Sequence, residues 1–165
     1  WEHQALVPSR IITGSQSLRD RFAAIRRDIL WQPRDKAELL TEVIEMRRKM
    51  WESLGSTDDK LLNLKKDHGG ITDIEFMVQY LILANAHAYP ELVKWSDNIR
   101  QLDSLQECGL LTQTMADQLA KTYRTLRNRV HERALQEKKA LVPVAVLAEE
   151  QDYVRTCWIE IMGGE

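Results

Sequence analysis

Apolar residues recur along this chain at steps of three and four, and sustained apolar–polar alternation occurs nowhere, so the pattern predicts helices and no sheet. From Trp1 to Ile12, the residues Trp1, Ala5 and Ile12 fall on roughly one face. Pro8 is set to kink or start that helix and Gly14 to end it. Ser17 with Asp20 can open a second helix whose apolar stripe is Leu18, Phe22, Ile25 and Ile29, closed by Pro33. Asp35 with Glu38 forms a capping pair for a third, carrying Leu39, Val43, Met46, Met50 and Leu54 up to Gly55. Ser56 to Ile71 reads as a polar loop. The run Ile74, Phe76, Met77, Val78, Tyr80, Leu81, Ile82, Leu83 then predicts a helix buried on most sides, stopping before Pro90.

Ser96 can cap a short helix with Ile99, Leu102 and Leu105 inward, ending at Gly109. Thr112 opens a long one through Met115, Leu119, Tyr123, Leu126, Val130 and Ala134. Pro143 breaks the pattern, and a last helix holds Val154, Cys157, Trp158 and Ile161 before Gly163-Gly164. The expected fold is all-α, a single-domain bundle of about seven helices over residues 1–165.

Length and composition fit one soluble globular domain: 165 residues with a formal net charge of -2. So small a charge gives no general affinity for nucleic acid. Cys108 and Cys157 make no disulfide framework and read as reduced, small apolar residues of a cytoplasmic protein. The stretch Phe76 to Ala88 contains Gln79, Asn85 and His87 and is too short to cross a bilayer. The opening Trp-Glu-His-Gln shows no signal peptide and starts as if inside an element, so a fragment of a longer polypeptide is expected.

The candidate chemistry lies in Leu64-Lys65-Lys66-Asp67-His68-Gly69-Gly70-Ile71-Thr72-Asp73-Ile74-Glu75-Phe76. A lysine pair runs into two glycines, and these run into a helix start where Thr72 and Glu75 have the spacing of a capping box. Glycine allows positive φ and the close approach of another backbone or a phosphate. A helix start offers free amides and partial positive charge to an anion, and Lys65 or Lys66 would add a full charge. The same residues also suit a plain turn before a core helix. Asp73 favours the helix start by roughly 0.3–1 kcal/mol. Asp73 or Glu75 could instead hold a ribose hydroxyl or a metal-bound water.

Other chemistry is weaker. His3, His68, His87 and His131 are scattered without metal-ligand spacing. No nucleophile motif surrounds any serine. Arg124, Arg127, Arg129 and Arg133 crowd the long helix, with Arg129 and Arg133 on one face and Glu132 and Glu137 near enough to neutralise part of the charge. A solvated, salt-bridged face or a docking site for an acidic partner or a phosphate both fit, and Arg47-Arg48-Lys49 reads alike.

Gly69-Gly70-Ile71-Thr72-Asp73-Ile74-Glu75-Phe76, with Lys65 before it and Gln79-Tyr80-Leu81 after, resembles a motif of the glutamine synthetase adenylyltransferases. Trp1-Glu2-His3-Gln4-Ala5-Leu6, Trp95-Ser96-Asp97-Asn98 and Ala134-Leu135-Gln136-Glu137 resemble others, so the likeness covers nearly the whole chain. It is greater to the carboxy-terminal, adenylylating half of the bifunctional enzyme than to the deadenylylating half. Nitrogen signal-protein uridylyltransferases carry a related glycine turn without the Asp-Ile-Glu-Phe continuation. The resemblance implies an ATP- and Mg2+-dependent nucleotidyltransferase that places AMP on a tyrosine of glutamine synthetase, of which this is the helical domain following the catalytic domain. The metal-binding aspartate motif of the catalytic domain is absent here, so the chain by itself is expected to be inactive, with no catalytic residue, metal site or tightly bound cofactor. Residue by residue, Lys65, Gly69, Gly70, Asp73 and Glu75 match the nucleotide-facing motif, and Glu2 and Gln4 match the helix leaving the catalytic domain. Pro8 and Ser9 depart from the usual arginine–alanine. Arg129 and Arg133 remain candidates for partner docking. The implied partners are glutamine synthetase, the upstream catalytic domain and the signal-transduction protein PII, with no nucleic acid or membrane.

Overall fold

The fold is taken from a computed structural model, which describes residues 2–55, 58 and 60–163. Seven α-helices occur among them: α1 (Glu2–Leu6), α2 (Gln16–Leu30), α3 (Lys36–Leu54), α4 (Ile71–Asn85), α5 (Asn98–Glu107), α6 (Gln113–Leu135) and α7 (Ala148–Met162). The motif helix α4 is central, packing against α1, α3, α5, α6 and α7. Its apolar residues face inward nearly all round, including Ile74, Met77, Ile82 and Leu83, each at most 1% exposed. No helix among the described residues is long and apolar enough to cross a membrane.

Caps set the boundaries. Asp35 accepts the amides of Ala37 and Glu38, both at 2.9 Å, and Thr112 accepts that of Met115 at 3.2 Å, as their spacing predicts. Such a cap is worth about 1 kcal/mol. Three expected caps move. Ser15 rather than Ser17 starts α2, and Asp97 rather than Ser96 starts α5. Thr72 lies inside α4, whose N-cap is Gly70 with no side-chain bond, so the expected Thr72–Glu75 capping box does not form. Helix α1 ends at Leu6, because Pro8 cannot continue it; Ile12 is 82% exposed, and Trp1 lies outside the described residues.

Two further departures have physical causes. Leu61–Asn63 (β1) pairs antiparallel with Leu141–Pro143 (β2), Leu62 opposite Val142. Three residues are too few to show alternation, so the pattern hid them. The second is the orientation of α2, whose expected stripe is only partly inward: Phe22 and Ile29 are half-buried, whereas Leu18 and Ile25 are each 54% exposed. Arg26 turns the helix. Its guanidinium is buried and donates to the carbonyls of Leu6 at 2.9 Å, Val7 at 2.6 Å, Trp95 at 3.3 Å and Val93. Four carbonyl partners satisfy a buried charge that an apolar face could not.

Candidate functional site

The glycine turn is closed upon itself. Gly69 has φ +83° and donates its amide to the Asp73 carboxylate at 2.6 Å. Gly70 donates to Asp67 O at 3.0 Å, Ile71 to Leu64 O at 2.9 Å and Thr72 to Lys65 O at 3.1 Å. The expected open amides therefore point into the protein, and both glycines are buried. Close backbone approach is why they are glycines. A Cβ on Gly70 would lie 2.9 Å from the carbonyl oxygens of both Leu64 and Asp67, and one on Gly69 would strike Gln151 of α7. Gln151 also donates to His68 O at 2.8 Å, tying the turn to α7.

Asp73 faces inward, opposite to Glu75. It forms a buried ion pair with Nε of Arg47 of α3, whose Nη2 donates to Lys66 O at 2.8 Å and Asp67 O at 3.2 Å. Arg47 is 1% exposed, which corrects the solvated face expected of Arg47-Arg48-Lys49; Arg48 and Lys49 do make exposed helix pairs, with Glu52 and Glu45.

Glu75 points the other way, to α6, where the Tyr123 hydroxyl donates to it at 3.0 Å. Burial pushes the Glu75 carboxyl up, opposed by that hydroxyl, Arg127 and Lys65. Burial and the nearby Glu75 raise Tyr123 as well. Glu75 and Arg127 both line two adjoining depressions. The larger, about 600 Å³, includes Arg10, Gln79, Asn98, Tyr123 and Arg124. The smaller, about 310 Å³, includes Lys65, Thr72 and His131. Gln79 also accepts a bond from buried Gln4 at 2.7 Å, fixing α1 to α4 one turn beyond Glu75. Of the nucleotide candidates, Lys65 and Glu75 thus reach this trough, whereas Gly69, Gly70 and Asp73 build the turn behind it. Glu2 is exposed on α1.

Spacing along α6 located the basic helix but chose other arginines. Arg129 pairs with Glu132 at 2.7 Å, and Arg133 donates to Lys139 O at 3.1 Å. Arg124 and Arg127 line the trough instead. The usable signal was Tyr123, a stripe residue: Arg127, four residues on, shares its face and lies with its guanidinium 5.8 Å from the ring. Trp95 is held between Lys94 and Arg100, while Asp97 caps α5, so this motif shapes the groove wall.

The raised Glu75 carboxyl gives a pH dependence. The folded state holds this proton more tightly than the unfolded chain, where glutamate titrates near about 4.3. Its contribution is therefore fully present below that value and is lost as pH rises through the raised folded value. Glu75→Gln should remove this loss, so denaturant midpoints of the variant and the parent should diverge with rising pH across the window. Parallel midpoints would show that Glu75 is not desolvated.

The model of the GlnD PII-uridylyltransferase family matches residues 41–149. The chain belongs to that family. Curated relatives named "Bifunctional glutamine synthetase adenylyltransferase/adenylyl-removing enzyme" match nearly all of it. Those of Mannheimia haemolytica and Thioalkalivibrio sulfidiphilus are 41% and 48% identical over 162 residues, and that of Hahella chejuensis is 47% identical over 166. Each alignment covers 98% of this chain but 17% of the relative. The resemblance read from the residues is met by relatives of that name.

Proposed function

We propose that this chain is the helical domain of the adenylylating, carboxy-terminal half of a glutamine synthetase adenylyltransferase, and that the trough between α4 and α6 faces the nucleotide. One convergence supports this reading. Glu75 and Gln79 of the motif helix, Ser96–Asn98 of a second motif, and Pro8 and Arg10 just past the first line one groove. Lys65, Arg10, Arg124 and Arg127 give the trough the charge for an anionic ligand such as ATP, and Glu75 can accept from a sugar hydroxyl. Gly69, Gly70 and Asp73 act through the turn, fixing Lys65 and the start of α4. Glu2 and Gln4 lie on the side proposed for the catalytic domain. Glutamine synthetase would bring its tyrosine to the open mouth, with the basic face of α6, the half-exposed Arg129 and Arg133 included, available to dock it. Among the described residues no three His, Cys, Asp or Glu side chains come together, so the trough does not fit a divalent metal ion.

In the complete enzyme, Lys65→Ala and Arg127→Ala should each lower AMP transfer to glutamine synthetase about tenfold, the worth of one charge-assisted hydrogen bond. The 165-residue chain alone should transfer none. Unchanged transfer in both variants removes the trough from the reaction. The family model's description is consistent with a second reading, a uridylyltransferase acting on PII, without favouring it. Transfer of UMP to PII in place of AMP to glutamine synthetase would select it.

A further inference from the structure

We propose that the smaller depression is a binding site for a phosphate group. Its donors come from two elements. Lys65 enters from the turn before α4, and Arg127 and His131 lie four residues apart on one face of α6. Ile71 and Val130 supply an apolar floor, and the volume of about 310 Å³ leaves room for a phosphate with its waters or its ester.

The state of these donors points to an anion. Several arginines elsewhere are paired with carboxylates: Arg47 with Asp73, Arg48 with Glu52, Arg100 with Asp97 and Arg129 with Glu132. Among the described residues no carboxylate lies in ion-pair range of Lys65 or Arg127. The polar contact of Arg127 is a long one, 3.5 Å to the Tyr123 hydroxyl. Glu75, the acidic residue of the lining, already accepts from Tyr123 at 3.0 Å. Two cations and an imidazole thus face one concavity where the half-buried Glu75 carboxylate offsets part of the charge without an ion pair, and an anion between Lys65 and Arg127 would relieve their mutual repulsion. A tetrahedral oxyanion matches convergent donors of this kind, with the planar guanidinium able to engage two of its oxygens.

The phosphate could be free or the end of a nucleotide. In the second case the inference rests on the nucleotide-facing reading above; in the first it stands independently. The full 165-residue chain, labelled with 15N, is titrated with inorganic phosphate at constant ionic strength, chloride balancing, and in parallel with ATP and with adenosine. The expected result is saturable shifts at Lys65, Thr72 and His131 with phosphate and none there with adenosine. Lys65→Ala and Arg127→Gln should each weaken phosphate about tenfold, while Arg48→Ala, on α3 and outside both depressions, changes it less than about twofold. Saturable shifts with ATP spreading to Asn98 and Tyr123 identify the nucleotide as the source, and shifts with phosphate alone identify the free ion. Linear shifts matched by chloride, or phosphate binding that survives both variants, overturn the site. If the site fails while AMP transfer in the complete enzyme still falls with Arg127→Ala, the function proposed above stands without it.

Discussion

Replacing Arg47 with methionine should destabilise the fold by about 3–5 kcal/mol, the cost of leaving a buried charge without its partner. Asp73 has 2% of its side chain exposed and keeps only the Gly69 amide once Arg47 is gone. The carbonyls of Lys66 and Asp67 lose their donor in the same step. With a urea dependence of about 2 kcal/mol per molar, typical of small domains, the midpoint should fall by roughly 2 M. Adding Asp73→Leu should recover part of the loss, since an apolar pair of similar size removes the stranded charge. Recovery should be incomplete, because the Gly69 amide then has no acceptor, a deficit of about 1–3 kcal/mol. An unchanged midpoint in Arg47→Met would mean that α3 does not hold the turn. A full recovery in the double variant would mean that the Gly69 amide finds another partner.

That ion pair also marks where the sequence stops being readable. Helices were legible wherever a cap and a stripe agreed: Asp35 before Leu39 and Val43, and Thr112 before Met115 and Leu119, both appear as their spacing requires. Local rules reach about one turn along the chain, and Arg47 and Asp73 are 26 residues apart. Neither residue differs in type from a solvated neighbour; only their meeting in the core makes them structural. Arg26 illustrates the same limit. Its four carbonyl partners come from the end of α1 and from the segment after α4, so an apolar stripe that would face the core on an isolated helix is turned half outward here.

The site was legible in part for the same reason. The motif gave the right helix and, in Lys65 and Glu75, two side chains that reach the trough. It gave no sign that the amides of the turn are consumed internally, because their acceptors, Leu64 O, Lys65 O and Asp67 O, are backbone atoms that every sequence possesses. Arg127 was visible as a charge but not as a lining residue, since that depends on where Tyr123 packs. A trough assembled from α4, α6 and the segment after α1 is a tertiary object, and its members share no sequence period.

Gly69→Ala should be the most damaging single methyl that can be added to this turn, at roughly 2–5 kcal/mol. Two costs add. At φ +83° an alanine sits in the left-handed region, which disfavours a Cβ by about 1–2 kcal/mol. The new Cβ would also strike Gln151 Cγ and lie 2.6 Å from Gln151 O. The side chain cannot swing aside without giving up its bond to His68 O, and the carbonyl cannot move without α7. Gly109→Ala separates the terms, because Gly109 has a similar φ of +71° with nothing within 4 Å of its added Cβ. Its midpoint should fall by the conformational cost alone, and the excess in Gly69→Ala then measures how hard α7 presses on the turn. Equal midpoints would mean that α7 yields freely, and that the turn which fixes Lys65 at the trough is not braced from behind.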